Sequence, residues 1–156
     1  MNGKTVLLGT LARTAIESAC PEWVAERDAA SPDAESSRRL VAVEPGAKVA
    51  VYLGTWCGDS RRQIARLWRA FDEAGRDPSF AIEYVGVDET KREPVEQILG
   101  RDLRYVPTLL VERGGVEVGR IVEVAPNGIE RDLLALLEGS AQGLLTTQAE
   151  LLPLRK

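Results

Sequence analysis

The passage from residue 49 to residue 71 limits most strongly how this chain can fold. Val49-Ala50-Val51-Tyr52-Leu53-Gly54 is apolar throughout, as a strand buried on both faces must be. Ile64, Leu67, Trp68 and Phe71 then recur at spacings of three and four, the pattern of a helix with one face in a core. Between the two stands Trp56-Cys57-Gly58-Asp59-Ser60. A lone cysteine therefore sits where a buried strand hands over to a helix N-terminus. The free amides of a first helical turn and the helix dipole favour negative charge, so a thiol at such a place tends to ionise. Downstream, Tyr105-Val106-Pro107-Thr108 opens another apolar run, Leu109-Leu110-Val111.

Bulk properties narrow the possibilities further. The chain has 156 residues, enough for one domain with a proper core. A net charge of −4 without a sustained basic stretch argues against nucleic acid and anionic membranes as partners. No apolar stretch is long enough to span a bilayer. Lys4 followed by Val6 to Leu11 has the outline of a signal peptide, but the apolar part is short and is soon interrupted by Arg13 and Glu17. We read it as an ordinary N-terminal segment. The two cysteines are too few for a disulfide framework and fit a cytoplasmic location. With no histidine in the chain, a Cys-His dyad, a Ser-His-Asp triad and histidine-based metal sites are impossible within it.

Three parts are expected: an N-terminal helical extension over residues 1–45, a body over 46–139 and a tail over 140–156. In the extension, Thr10 to Ala19 reads as a helix ended by Cys20-Pro21. Ser31-Pro32-Asp33 reads as a cap, a first-turn proline and an acidic first turn. Trp23 is the expected anchor of the extension on the body. In the body, a strand over Lys48 to Gly54 leads to a helix from Gly58 to Ala74. Next come a strand over 80–87 and a short helix from Val95 to Leu99. A hairpin, Thr108 to Glu112 and Val116 to Val122, turns at Arg113-Gly114-Gly115. The closing helix runs from Gly128 to Leu137. The tail from Ser140 reads as a further helical turn or two.

This order of elements, with Trp-Cys-Gly before the first body helix and Val-Pro-Thr before the hairpin, resembles the thioredoxin superfamily over roughly residues 46 to 139. The segment Gly54-Thr55-Trp56-Cys57-Gly58-Asp59-Ser60-Arg61-Arg62 is similar to that of thioredoxin-like bacterial proteins with a CxxS motif. The resemblance implies an α/β fold, a central mixed sheet flanked by helices. It implies Cys57 as nucleophile and a cis bond at Pro107 that exposes the Val106 backbone to an extended substrate. Trp56, Gly58 and Asp59 would line the substrate site, with Trp56 shielding the sulfur. Arg61 and Arg62 would raise the local positive potential, or form a solvated helix start with Asp59. Glu123 matches a glycine that borders the groove in thioredoxins. There it would select a partner, with Arg61 or Arg62 as its neighbour, or stand as an exposed acid on an edge strand.

Ser60 departs from the family's dithiol pattern, because a hydroxyl cannot resolve a mixed disulfide. It can instead donate a hydrogen bond to the Cys57 thiolate. Val51 and Tyr84 stand where familiar thioredoxins carry an acid and a lysine that help the second thiol lose its proton. The expected activity is therefore monothiol thiol–disulfide exchange on protein or low-molecular-weight disulfides. Glutathione or another small thiol would serve as co-substrate, without metal or organic cofactor. Cys20 is the one internal candidate for a resolving thiol. A redox-inactive binding module, and a thiol-based sensor or peroxidase-like protein, are the rival readings.

Overall fold

The computed structural model describes residues 5–152; Lys4 and the rest of residues 1–4, with residues 153–156, lie outside them. The elements in chain order are β1 (Gly9–Leu11), α1 (Arg13–Ala19), α2 (Pro21–Ala29), α3 (Ala34–Val41), β2 (Ala47–Leu53), α4 (Gly58–Ala74), β3 (Ala81–Gly86), α5 (Val95–Ile98), β4 (Thr108–Arg113), β5 (Val116–Val122), α6 (Ile129–Glu138) and β6 (Gly143–Thr146). The fold is α/β. One mixed sheet of six strands has the order β1-β3-β2-β4-β5-β6. β2 runs parallel to β3 and antiparallel to β4, and β5 pairs antiparallel with β4 and parallel with β6.

Alternation along the strands divides the interior in two, because successive side chains point to opposite faces. Val49, Val51, Leu53, Leu109, Val111 and Ile121 face one way and pack with Ile64, Leu67 and Trp68 of α4 and Leu133 of α6. Ala50, Tyr52, Val85, Val87 and Leu110 face the other way, where Ile98 of α5 and Val106 cover them. α4 holds its apolar face on the first cluster and ends at Gly75, whose left-handed φ of 75° lets its N–H reach the Phe71 and Asp72 carbonyls.

The N-terminal helices α2 and α3 pack on α4, and α3 also meets α6. Trp23 is buried there, with its ring centroid 5.6 Å from that of Trp68. Trp68 in turn donates from Nε1 to the Tyr84 hydroxyl over 2.9 Å. The polar tie among these helices is Glu130 on α6, which has no exposed surface. It accepts a two-pronged bond from Arg66 of α4, both distances 2.8 Å, and a third from the Asp33 N–H at 2.8 Å. Burial opposes the charge on Glu130, but the Arg66 fork and the Asp33 amide outweigh it and hold the carboxyl below its usual range.

Four local expectations are corrected. Residues Gly9–Leu11 are a strand, not the start of a helix, because they pair antiparallel with β3 on the sheet's free edge. This edge is so close that a Cβ on Gly86 would lie 2.0 Å from the Leu7 carbonyl oxygen. A second helix, α2, begins directly after Cys20 with Pro21 in its first turn; the proline ends one helix and starts the next. The cap of α3 is Asp33, not Ser31, since its carboxylate receives the Ser36 N–H. The tail forms β6 and a 3-10 turn at Ala149–Leu151, because β5 offers an open edge of backbone donors and acceptors with which residues 143–146 pair.

Two consequences can be measured. Trp23→Ala should cost about 3–5 kcal/mol in urea unfolding, far more than an exposed aromatic would. Glu130→Gln should cost about 1.5–3 kcal/mol near neutral pH. Because the folded-state carboxyl lies below its unfolded value, its contribution is complete above the ordinary carboxylate range and is lost as pH falls through the folded value. Wild type and Glu130→Gln should therefore draw together in stability as pH falls from the ordinary carboxylate range through the lower folded-state value; a constant gap down to strong acid would show that the charge is not what matters.

Candidate functional site

β2 delivers Cys57 to the end of the sheet, and α4 begins there. Cys57 is the N-cap of α4 with extended backbone angles (φ −98°, ψ 125°). Its Sγ receives the Ser60 backbone N–H at 3.5 Å and lies 3.6 Å from the Val106 carbonyl oxygen, to which the thiol donates. The Val106–Pro107 bond is cis. The cysteine is half-buried and packs against the second apolar cluster together with Trp56 and Leu103.

The segment before Cys57 is fixed atom by atom. Thr55 Oγ1 accepts from the Leu7 N–H at 3.1 Å and donates to the Thr5 carbonyl at 2.6 Å. The Thr55 carbonyl receives Trp23 Nε1 at 3.3 Å. Trp56 Nε1 donates to the Val87 carbonyl at 2.9 Å, so the indole lies down across the strand end. A Cβ on Gly54 would come within 2.5 Å of that ring; this glycine is needed for close approach. Lys91 Nζ stands 5.9 Å from the Trp56 ring centroid.

Ser60 does not do what its position suggests. Its hydroxyl is fully buried and accepts the Gly54 N–H at 3.1 Å. The group that meets the Cys57 sulfur is its main-chain amide. The hydroxyl closes the strand–helix junction as an acceptor, where a buried backbone N–H left unpaired would be costly.

The charged residues around the motif are paired off locally. Arg61 Nε bonds Glu26 at 3.0 Å, and Arg62 bonds Asp59 at 2.6 Å. The Arg62 guanidinium lies over Gly58, whose Cβ would come 3.2 Å from it. Neither arginine pairs with Glu123, contrary to expectation. Glu123 instead accepts a short bond from the Gln148 side-chain amide, and its own N–H donates to the Pro107 carbonyl at 2.8 Å. Its φ of 64° lies in the left-handed region that favours glycine. Nor does Glu123 end an edge strand, since β6 covers β5.

Beneath the motif, Val51 and Tyr84 are register partners on β2 and β3. Burial pushes the Tyr84 phenol up to about 12. An apolar side chain and a neutral phenol thus occupy the adjoining places where an acid and a lysine would move a proton. Cys20 is fully buried in the helix-side cluster, and burial, with the Glu22 charge, pushes its thiol up. Cys57 packs against the other cluster, and both thiols are free. No group of three or more acidic, cysteine or histidine side chains that could hold a metal exists among the described residues.

The geometry brings Trp56, Cys57, Gly58, Asp59, Val106, Pro107 and Glu123 to one end of the sheet. Sequence reasoning missed Thr55, Tyr105, Gln148 and Glu150 around it. Thr55 lies inside the motif and could have been suspected. Gln148 and Glu150 belong to a tail with no pattern pointing to the site, yet Tyr105 donates to Glu150 at 2.8 Å.

No protein-family model matches this chain, and no curated protein matches it. Solved structures do. A Pseudomonas aeruginosa protein of unknown function is 18% identical with a TM-score of 0.57, over 83% of this chain and 88% of its own. An HIV epitope scaffold gives the same values. A mutant thioredoxin from Halobacterium salinarum is 20% identical with a TM-score of 0.41, over 70% of this chain and 86% of its own. At these identities the first two likenesses concern the fold alone.

Proposed function

We propose that this chain is a monothiol thiol–disulfide oxidoreductase of the thioredoxin superfamily. The observation that carries the reading is the placement of Cys57 Sγ between the first-turn amide of Ser60 and the carbonyl of Val106, beside a cis-proline. In the first step the Cys57 thiolate attacks a disulfide. A mixed disulfide forms on Cys57, and the departing thiolate takes a proton from water. In the second step an external thiolate attacks that mixed disulfide, making a new disulfide and returning the Cys57 thiolate. In sum one disulfide is exchanged for another: one external thiol is consumed, one thiol is released, and no other electron donor is needed. Glutathione or another low-molecular-weight thiol is the proposed co-substrate, and the cytoplasm the proposed location. No helix among the described residues is long and apolar enough to cross a membrane.

The internal alternatives are weak on physical grounds. Ser60 Oγ is committed to Gly54 and lacks a thiol's nucleophilicity. Cys20 is fully buried in a cluster to which Cys57 does not belong. Val51 and Tyr84 supply no general base beneath the site.

With dithiothreitol as reductant, insulin-disulfide reduction should run at least about tenfold slower than with a dithiol thioredoxin; equal rates would overturn the monothiol mechanism. Ser60→Cys should gain some activity but stay below that control, since the new thiol replaces the Gly54 acceptor and has no base nearby. In lysate, wild-type protein should accumulate mixed disulfides with small thiols, read after acid quenching as a thiol-reversible mass increase of the intact protein. The adducts should vanish in Cys57→Ser and persist in Cys20→Ser. An increase in Cys20→Ser would make Cys20 the resolving thiol. No adducts in any variant, with Cys57 slow to alkylate, would favour a redox-inactive binding module.

A further inference from the structure

The chain after β6 does not leave the molecule where the sheet ends. β6 and β5 finish, and β4 begins, in line at the Cys57 end of the sheet: Thr146 is the register partner of Val122, and Val122 that of Thr108, next to Pro107. From there the backbone is turned back. Thr146 Oγ1 donates to the Val122 carbonyl at 2.9 Å and accepts the Gln148 N–H at 3.0 Å.

Residues 147–152 are pinned on both sides of the cis-proline. On one side the Gln148 amide holds the Glu123 carboxylate, and Glu123 is itself bonded to the Pro107 carbonyl. On the other, Glu150 receives the hydroxyl of Tyr105, which immediately precedes Val106. Leu151 lines a cavity of about 380 Å³ together with Leu144, Val122 and Thr108 and the charged Arg104, Glu117 and Arg120.

We infer that residues 147–152 form a strap that sets the substrate size, admitting small disulfides to Cys57 and turning away disulfides carried on folded polypeptides. The inference rests on the thiol chemistry proposed for Cys57. An extended polypeptide advances ~3.3 Å per residue. If its reacting cysteine met Cys57 while its backbone ran along Val106–Pro107, its next residues would reach Tyr105 or Glu123, where the strap is fastened. A small disulfide ends before that point. The pins are side-chain bonds near the surface, so the strap restricts access without being part of the core.

Two chromogenic probes with the same leaving group separate size from chemistry. One is the mixed disulfide of cysteamine with nitrothiobenzoate. The other is a folded carrier protein whose single surface cysteine bears the same group. Release of nitrothiobenzoate from each is timed with wild type, with Gln148→Ala/Glu150→Ala, and with a chain ending at Thr147. Circular dichroism confirms that each variant is folded, and the truncation keeps the test decisive if the double variant leaves the strap in place. The rate with the small probe should stay within about twofold throughout, while the rate with the carrier should rise about tenfold or more once the strap is freed or removed. An unchanged ratio of the two rates in the truncated chain would overturn the strap alone. Absence of release from the small probe in wild type would overturn the Cys57 chemistry and the strap with it.

Discussion

Everything in this molecule is arranged around a strand that is apolar on both faces. Residues 49–53 of β2 are buried whichever way they point. Each face must therefore be covered, and the two covers are unequal. α4, α6 and the N-terminal helices form one thick layer. On the other side lie the four-residue helix α5 and the loops around it. Cys57 emerges at the end of β2, so it inherits both environments. Its backbone belongs to the helix on the thick side, and its side chain rests against the thin one.

That position explains how a serine in the motif contributes. A strand that stops in the interior must satisfy its last amide, and the Ser60 hydroxyl does so for Gly54. The same residue offers its own amide to the sulfur. One residue thus closes the strand–helix junction with its side chain and holds the thiol with its main chain. The arginines beside the motif are balanced in pairs, Arg61 with Glu26 and Arg62 with Asp59, so the helix N-terminus and Lys91 over the Trp56 ring are the nearby sources of positive potential.

The ends of the chain are tied into the same construction. At the N-terminal end, Thr55 clasps residues 5 and 7, while Trp23 reaches its carbonyl from α2. At the C-terminal end, the segment after β6 is bonded to Glu123 and Tyr105. Segments distant in sequence therefore bracket the Cys57–Pro107 region. Mobility in either would be felt at the site, because these links are direct hydrogen bonds to residues that touch it.

The sequence by itself determined the elements whose side-chain period is strong. β2, α4 and the β4–β5 hairpin are legible because burial of a continuous apolar run, of a helical stripe and of a hairpin around Gly114-Gly115 leaves few alternatives. It also marked Cys57 and Pro107, since a strand–helix junction and a proline at a strand start are local facts. Tertiary structure alone decided what depends on partners. Gly9–Leu11 became a strand because β3 had a free edge, overriding a helical reading of Thr10 onward. Gly143–Thr146 became one because β5 had another. The Ser60 hydroxyl turned to Gly54 rather than to the sulfur, and Glu123 to Gln148 rather than to an arginine. Such choices depend on which donors and acceptors the folded chain brings within reach, and no pattern along the sequence encodes that distance.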